Sequence, residues 1–218
     1  MKNNQSVNNT DGFLLSSDGS NHTLLQNEAR DNYVGFSMSG SGHQLTKNTA
    51  TDNLSSGFTG DTTCTGVTLT NNEASRNSQY GFDLEGGSGY VLTGNLAGHN
   101  FDSGFILAGG NQYILSHNAA VGNYSIGFHL FGGTGHQLLR TAVVGNRDTG
   151  ILLDTGGTVL ISQSNIVRMA LLKQCHDSEK SHRNSERNIV RHEQEADYPE
   201  IIIHRRHLTV RGGAGSMA

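Results

Sequence analysis

Along most of this chain the large apolar residues fall two positions apart, and the pair returns every 22 to 24 residues. A glycine opens each unit: Gly12, Gly35, Gly57, Gly81, Gly104, Gly127 and Gly150, in steps of 23, 22, 24, 23, 23 and 23. Beside it stands Phe13, Phe36, Phe58, Phe82, Phe105, Phe128 or Ile151, and two residues on stands Leu15, Met38, Gly60, Leu84, Leu107, Leu130 or Leu153. A leucine column follows at Leu24, Leu45, Leu69, Leu92, Leu115 and Leu138. Then come an asparagine column (Asn27, Asn48, Asn72, Asn95, Asn118), an alanine column (Ala29, Ala50, Ala74, Ala97, Ala120) and a second asparagine column (Asn32, Asn53, Asn77, Asn100, Asn123, Asn146). Asn3 and Asn8 extend the two asparagine columns to the start of the chain.

Spacing of two puts side chains on one face of a strand, and no 3.6-residue period appears inside a unit. Paired glycines such as Gly86-Gly87, Gly109-Gly110, Gly132-Gly133 and Gly156-Gly157 mark corners that need positive φ. Each unit therefore reads as two or three short strands joined by tight turns. A unit this short buries its apolar face only against its neighbours, so the units stack, with parallel strands about 4.8 Å apart. The predicted fold is all-β: a single-domain parallel β-helix of about seven coils. An asparagine repeated at that spacing bonds to its copies above and below, which lets a polar side chain occupy an inward corner.

The run N-x3-G-F-x-L-x-G-x-S/T-G-x-x-L-x-x-N-x-A-x-x-N resembles the right-handed parallel β-helix repeat of pectin-lyase-like proteins, in particular NosD-type tandem repeats. The resemblance covers roughly residues 3–162 and specifies fold more than function, since such coils serve lyases, epimerases, hydrolases, adhesins and surface proteins alike. It implies a right-handed helix and a secreted or cell-surface setting. The expected division is a β-helix over 1–164 and a cap with a polar tail over 165–218. Within the latter, 166–175 (IVRMALLKQC) reads as a short amphipathic helix, 176–198 as a solvated or disordered segment, and EIIIHRRHLTV as one strand or a docking segment. The chain starts inside a coil, which reads as a fragment of a larger array or as an end that associates with another copy.

Composition changes this picture little. The 34% hydrophobic content is low for a globular core, but a solenoid interior is narrow and tolerates it. Net charge is −4, which argues against a nucleic-acid footprint. No apolar run approaches the length of a membrane span, and MKNNQSVNNT holds no apolar signal region. Cys64 and Cys175 lie in different regions and form no disulfide framework.

Candidate chemistry sits on the outward positions of the first strand. Asp83 and Glu85 alternate with buried residues, about 6.5–7 Å apart on one face. Asp61 is expected one coil below Glu85, and His129 two coils above Asp83. Clustered carboxylates raise one another's pKa, which suits a general acid; their spacing also suits glycoside hydrolysis or an oxygen-ligated Ca2+. Catalytic roles for Asp83, Glu85 and His129 hold only if the protein is an enzyme. A lyase also wants a nearby cationic base, and His117 and Arg140 lie on other coils or faces. Tyr90, Tyr113 and His136, with His22 and His43, form a column of planar rings suited to stacking on sugars. His204 and His207 stand three apart without a companion cysteine or acid, so no metal site is assigned and no cofactor beyond Ca2+ is considered.

Two functions stay open. One is a non-catalytic surface, structural or carbohydrate-binding module with a polysaccharide or glycan partner. The other is a polysaccharide-active lyase, epimerase or hydrolase using the outward carboxylates. Short, uniform corners offer little material for a cleft wall, which favours the module.

Overall fold

The structure, a computed structural model, describes residues 1–154, 159–162, 166–168, 201–204 and 207–210. It is a right-handed parallel β-helix of about seven coils, each made of three short strands, so that three sheets run along the axis. The first carries the phenylalanine column: Asp11–Leu15, Val34–Met38, Phe58–Gly60, Phe82–Glu85, Phe105–Ala108, Phe128–Phe131 and Ile151–Asp154. The second carries the leucine column, from Thr23–Leu25 to Val159–Ser162. The third carries the alanine column, from Gln5–Val7 to Ile166–Arg168.

Like residues superpose. Phe82 pairs with Phe58 and Phe105, Leu92 with Leu69 and Leu115, and Ala97 with Ala74 and Ala120. The six phenylalanine rings stack face to face from Phe13 to Phe128 at centroid spacings of 4.4 to 4.8 Å, a shape forced by the strand spacing itself.

The corners hold the asparagine ladders. Asn72 Oδ1 accepts from both the backbone N–H (2.9 Å) and the Nδ2 (3.0 Å) of Asn48. Its own Nδ2 donates to Leu45 O (2.8 Å) and to Asn95 Oδ1 (3.1 Å). Each buried amide thus fills its own bonding capacity and satisfies corner backbone groups that no sheet reaches. At the first coil the ladder positions are Asn4 and Asn9, not the expected Asn3 and Asn8. Asn3 and Asn8 occupy the preceding position, where φ is 55° and 59°. That left-handed conformation also suits asparagine, so each Asn-Asn pair offers two registers to a reader of the sequence.

Gly60 interrupts the leucine-type column for a reason of packing. A Cβ there would lie 2.2 Å from the phenol oxygen of Tyr90, which enters the core from the next coil. The corner pair Gly86-Gly87 has the expected positive φ, 67° and 72°.

The solenoid runs beyond residue 164. Ile166–Arg168 pairs in parallel with Ala142–Val144, so the expected helix over 166–175 is a strand at its start; its remainder, the polar stretch 176–198 and Cys175 lie outside the described residues. The EIIIHRRHLTV segment forms two antiparallel strands, Ile201–His204 and His207–Val210, the first pairing with Val159–Ile161.

Replacing Asn72 with alanine takes a bond from four buried groups, Asn48 N–H, Asn48 Nδ2, Leu45 O and Asn95 Oδ1, of which Asn48 Nδ2 keeps Leu24 O and Asn95 Oδ1 keeps the residue 72 N–H. At about 1–3 kcal/mol for each orphaned group, a loss of roughly 3–6 kcal/mol is expected in urea unfolding. The exposed substitution Gln44→Ala serves as a control and should stay within about 0.5 kcal/mol.

Candidate functional site

The outward face of the first sheet collects the acids. Asp83 and Glu85 project from Phe82–Glu85, with Asp83 half-buried and Glu85 exposed. Asp83 Oδ1 is enclosed without a hydrogen-bond partner. Burial, and secondarily the charge of Glu85, push the Asp83 carboxyl up to about 6. Asp61 behaves oppositely. Burial alone would raise it, but Ser39 Oγ (2.6 Å), Thr63 Oγ1 (2.6 Å) and Thr63 N–H (2.9 Å) all donate to it, and together they hold it below the usual range. Two carboxyls on one face are thus driven apart, Asp61 toward the ionised form and Asp83 toward the protonated form.

His129 lies two coils from Asp83, as expected, with Ile106 between them in register. Ile106 is buried, and the His129 ring leans on Phe131 at 4.8 Å. Two inter-strand steps are about 9.6 Å, so acid and imidazole do not meet directly. No lysine or arginine occupies either outward column of this sheet among the described residues.

Tyr90, Tyr113 and His136 do not form an outer groove; their exposures are 0%, 0% and 2%. They share strand parity with Leu92, Leu115 and Leu138 and therefore point inward. His136 Nδ1 accepts from Tyr113 N–H (3.4 Å) and Nε2 faces Gly132 O (3.3 Å), so both nitrogens are engaged. Burial lowers its pKa, partly offset by the Gly132 bond, and burial pushes Tyr113 up to about 12. Rings enclosed this way cannot stack on an external sugar, which corrects the expectation.

The exposed rings stand one column further along, immediately after the second asparagine ladder. That file reads Tyr33, Leu54, Ser78, Phe101, Tyr124, Arg147, and its repeat is set by equivalent backbone bonds such as Leu54 N–H to Asn32 O, Ser78 N–H to Asn53 O and Phe101 N–H to Asn77 O. Phe101 and Tyr124 stack at 5.1 Å and 15°, and the Arg147 guanidinium lies 3.9 Å over the Tyr124 ring. Between this file and the sheet sits Tyr80, half-buried. Burial raises its phenol, as do the charges of Asp102, Asp83 and Glu85, which places those acids in one electrostatic group. Neither the exposed file nor Tyr80 was singled out from the sequence, although three aromatics in six positions of one column were a readable signal.

The described residues hold no group of three or more His, Cys, Asp or Glu placed to bind a metal. Among the described residues, Cys64, His22 and His43 are not placed to hold a soft metal together. Cys64 is fully buried, donates to Met38 O (3.2 Å), and burial pushes its thiol up, away from the thiolate a metal requires. His22 and His43 are stacked in parallel at 5.2 Å, so their in-plane lone pairs do not converge. His43 is also committed to His22 N–H and Ser39 O. The oxygen site considered for Ca2+ loses Asp61 to its Ser39 and Thr63 bonds.

Three comparisons bear on this geometry. The family model described as "Periplasmic copper-binding protein (NosD)" matches residues 1–167. The crystal structure of the periplasmic alginate epimerase AlgG superposes with a TM-score of 0.60 at 17% identity, covering 65% of this chain and 35% of that one. A point mutant of AlgG gives 0.60 at 16%, covering 67% and 38%. At that identity the likeness is one of fold, and this chain spans little more than a third of those proteins. No curated protein matches the sequence.

The raised Asp83 predicts a pH dependence. Its folded pKa exceeds the unfolded value, so the native state holds the extra proton between about pH 4 and 6 and the contribution to stability falls as pH rises through that window. Asp83→Asn should raise the melting temperature at pH 7 relative to wild type, and the gap should close toward pH 4. Thermal melts across pH 4–8 check this, and a constant gap would contradict it.

Proposed function

The chain belongs to the NosD family, and from that premise we propose that it is a periplasmic or extracellular glycan-binding β-helix module that performs no chemistry of its own. The observation that carries this reading is the solvent-facing Phe101–Tyr124 stack beside the acidic face of the first sheet. Exposed, mutually stacked rings fixed on a rigid scaffold present apolar surface at low entropic cost, and hydroxyl, amide and carboxylate groups beside them (Ser78, Gln79, Asp102) match the polar edge of a sugar. The family and the neighbouring epimerase are both described as periplasmic, and the epimerase acts on alginate, which supports a glycan setting.

Asp83 near 6 favours the enzyme reading as the second one, since a carboxyl so poised suits a general acid. Against it stand the distance to His129 and the lack of a cation on the outward columns. In the enzyme case Asp83 would be the acid, Glu85 the second carboxylate and His129 a remote base. No step through copper is derived, because the donors described above do not suit it.

A glycan array run beside an unsaturated-uronate absorbance assay tests the proposal. Binding without turnover is expected. The double substitution Phe101→Ala/Tyr124→Ala should weaken binding at least about tenfold with the fold intact, whereas Asp83→Ala should leave it within about threefold, as expected of a residue outside the stacking surface. Turnover abolished by Asp83→Ala would replace the module reading with the enzyme.

A further inference from the structure

The exposed file has one missing rung. Leu54 (67% exposed) and Phe101 (62% exposed) flank Ser78, whose side chain carries no ring to continue the stack. Elsewhere in the file Phe101, Tyr124 and Arg147 cover one another in succession, so the far face of Tyr124 is closed while the Ser78-side face of Phe101 is open. Adjacent coils repeat at about 4.8 Å, which leaves about 9.6 Å between the Leu54 and Phe101 positions. A flat ring packed on both sides at carbon contact distance needs about 7–8 Å. The gap therefore admits one ring and excludes two.

Its chemistry narrows the occupant. The cations nearest in the chain are already committed: Arg76 to Asp52 through two bonds (2.9 and 2.8 Å), and Arg147 to the Tyr124 face. Tyr80, two residues beyond Ser78, senses Asp102, Asp83 and Glu85. A uronate carboxylate brought here would meet unpaired negative charge, whereas a neutral sugar would find an apolar ring face, a hydroxyl at Ser78 and an amide at Gln79.

We propose that the gap at Ser78 is a stacking subsite for one pyranose ring of a neutral glycan, seated on Phe101 and backed by Leu54. This rests on the glycan-binding reading and sharpens it from glycans in general to uncharged ones. It also separates this chain from its structural neighbour, whose alginate is a polyuronate.

The test uses the full chain with cello- and manno-oligosaccharides in one arm and oligogalacturonates and oligoalginates in the other, by calorimetry at fixed ionic strength. The neutral arm should bind at least tenfold tighter. Ser78→Phe should continue the ring file, keep or raise the melting temperature, and cost at least tenfold in binding. Should that variant fail to fold, Leu54→Ala, at an exposed position, should weaken binding several-fold by removing the back wall. Neutral-glycan binding untouched by both substitutions overturns the subsite while leaving the module reading in place. A preference for oligouronates overturns the neutral assignment alone. A wild-type chain that binds no glycan in either arm overturns the module reading, and this inference with it.

Discussion

The structure depends on satisfying a buried amide at every turn. A coil of three short strands must change direction three times, each corner turning through left-handed residues, and at two of the corners buried backbone groups are left that no sheet covers. The asparagine ladders resolve this by bonding along the axis, each Oδ1 taking two donors from the coil before it. Such bonds form only when equivalent residues superpose at the inter-strand spacing. One constraint therefore fixes the register of all three sheets at once, since slipping any coil by one residue would orphan two buried amides as well as misplace the phenylalanine and leucine files. The non-glycine residues held at positive φ before the ladders, among them Lys47, Arg76, His99 and His117, show how strongly the context enforces the corner.

Because register is set from inside, the outer columns are free to vary, and a site in this fold has to be written as a departure from the repeat. Two departures matter. Gly60 abandons the leucine column so that Tyr90 can enter the core, which turns that tyrosine from a surface ring into a packing element. Ser78 abandons the aromatic file and opens the face of Phe101. The first departure strengthens the interior and the second exposes a surface, and nothing in local residue chemistry distinguishes them. What distinguishes them is place: Gly60 faces inward by strand parity, and Ser78 lies in a corner beside an asparagine ladder.

Parity also explains what the sequence disclosed and what it did not. The fold was legible because glycine, phenylalanine, leucine and asparagine recur in columns that a solenoid alone can reconcile. Asp83, Glu85 and His129 were legible as outer-face residues because each alternates with an inward residue. Tyr90, Tyr113 and His136 were misread as a groove, although they stand two residues before an inward leucine and so belong inside. Residue type had suggested a function that strand geometry forbade. The exposed Phe101–Tyr124 file escaped notice because it lies in a corner, where alternation lapses and outwardness has to be inferred from the ladder beside it. The one-residue slip at Asn3 and Asn8 arose where two chemically different positions accept the same residue.

The stacking geometry also limits what the acids can do. In a solenoid, short side chains cooperate within a coil or with the coil next to it, one step of about 4.8 Å, and a second step, about 9.6 Å, exceeds direct hydrogen-bond reach for a pair as short as Asp and His. Asp83 and His129 are two steps apart with Ile106 filling the interval, so the displaced pKa of Asp83 reflects a cost of packing, and His129 is not placed to take its proton directly. A perturbed carboxyl is a useful pointer to catalysis only where a second group can receive or supply the proton. Here the nearest acidic companion, Glu85, has the same sign, and the outward columns carry no lysine or arginine among the described residues. The acidic face is therefore left to act through its field, and under the proposed reading that field disfavours anionic chains beside the exposed rings.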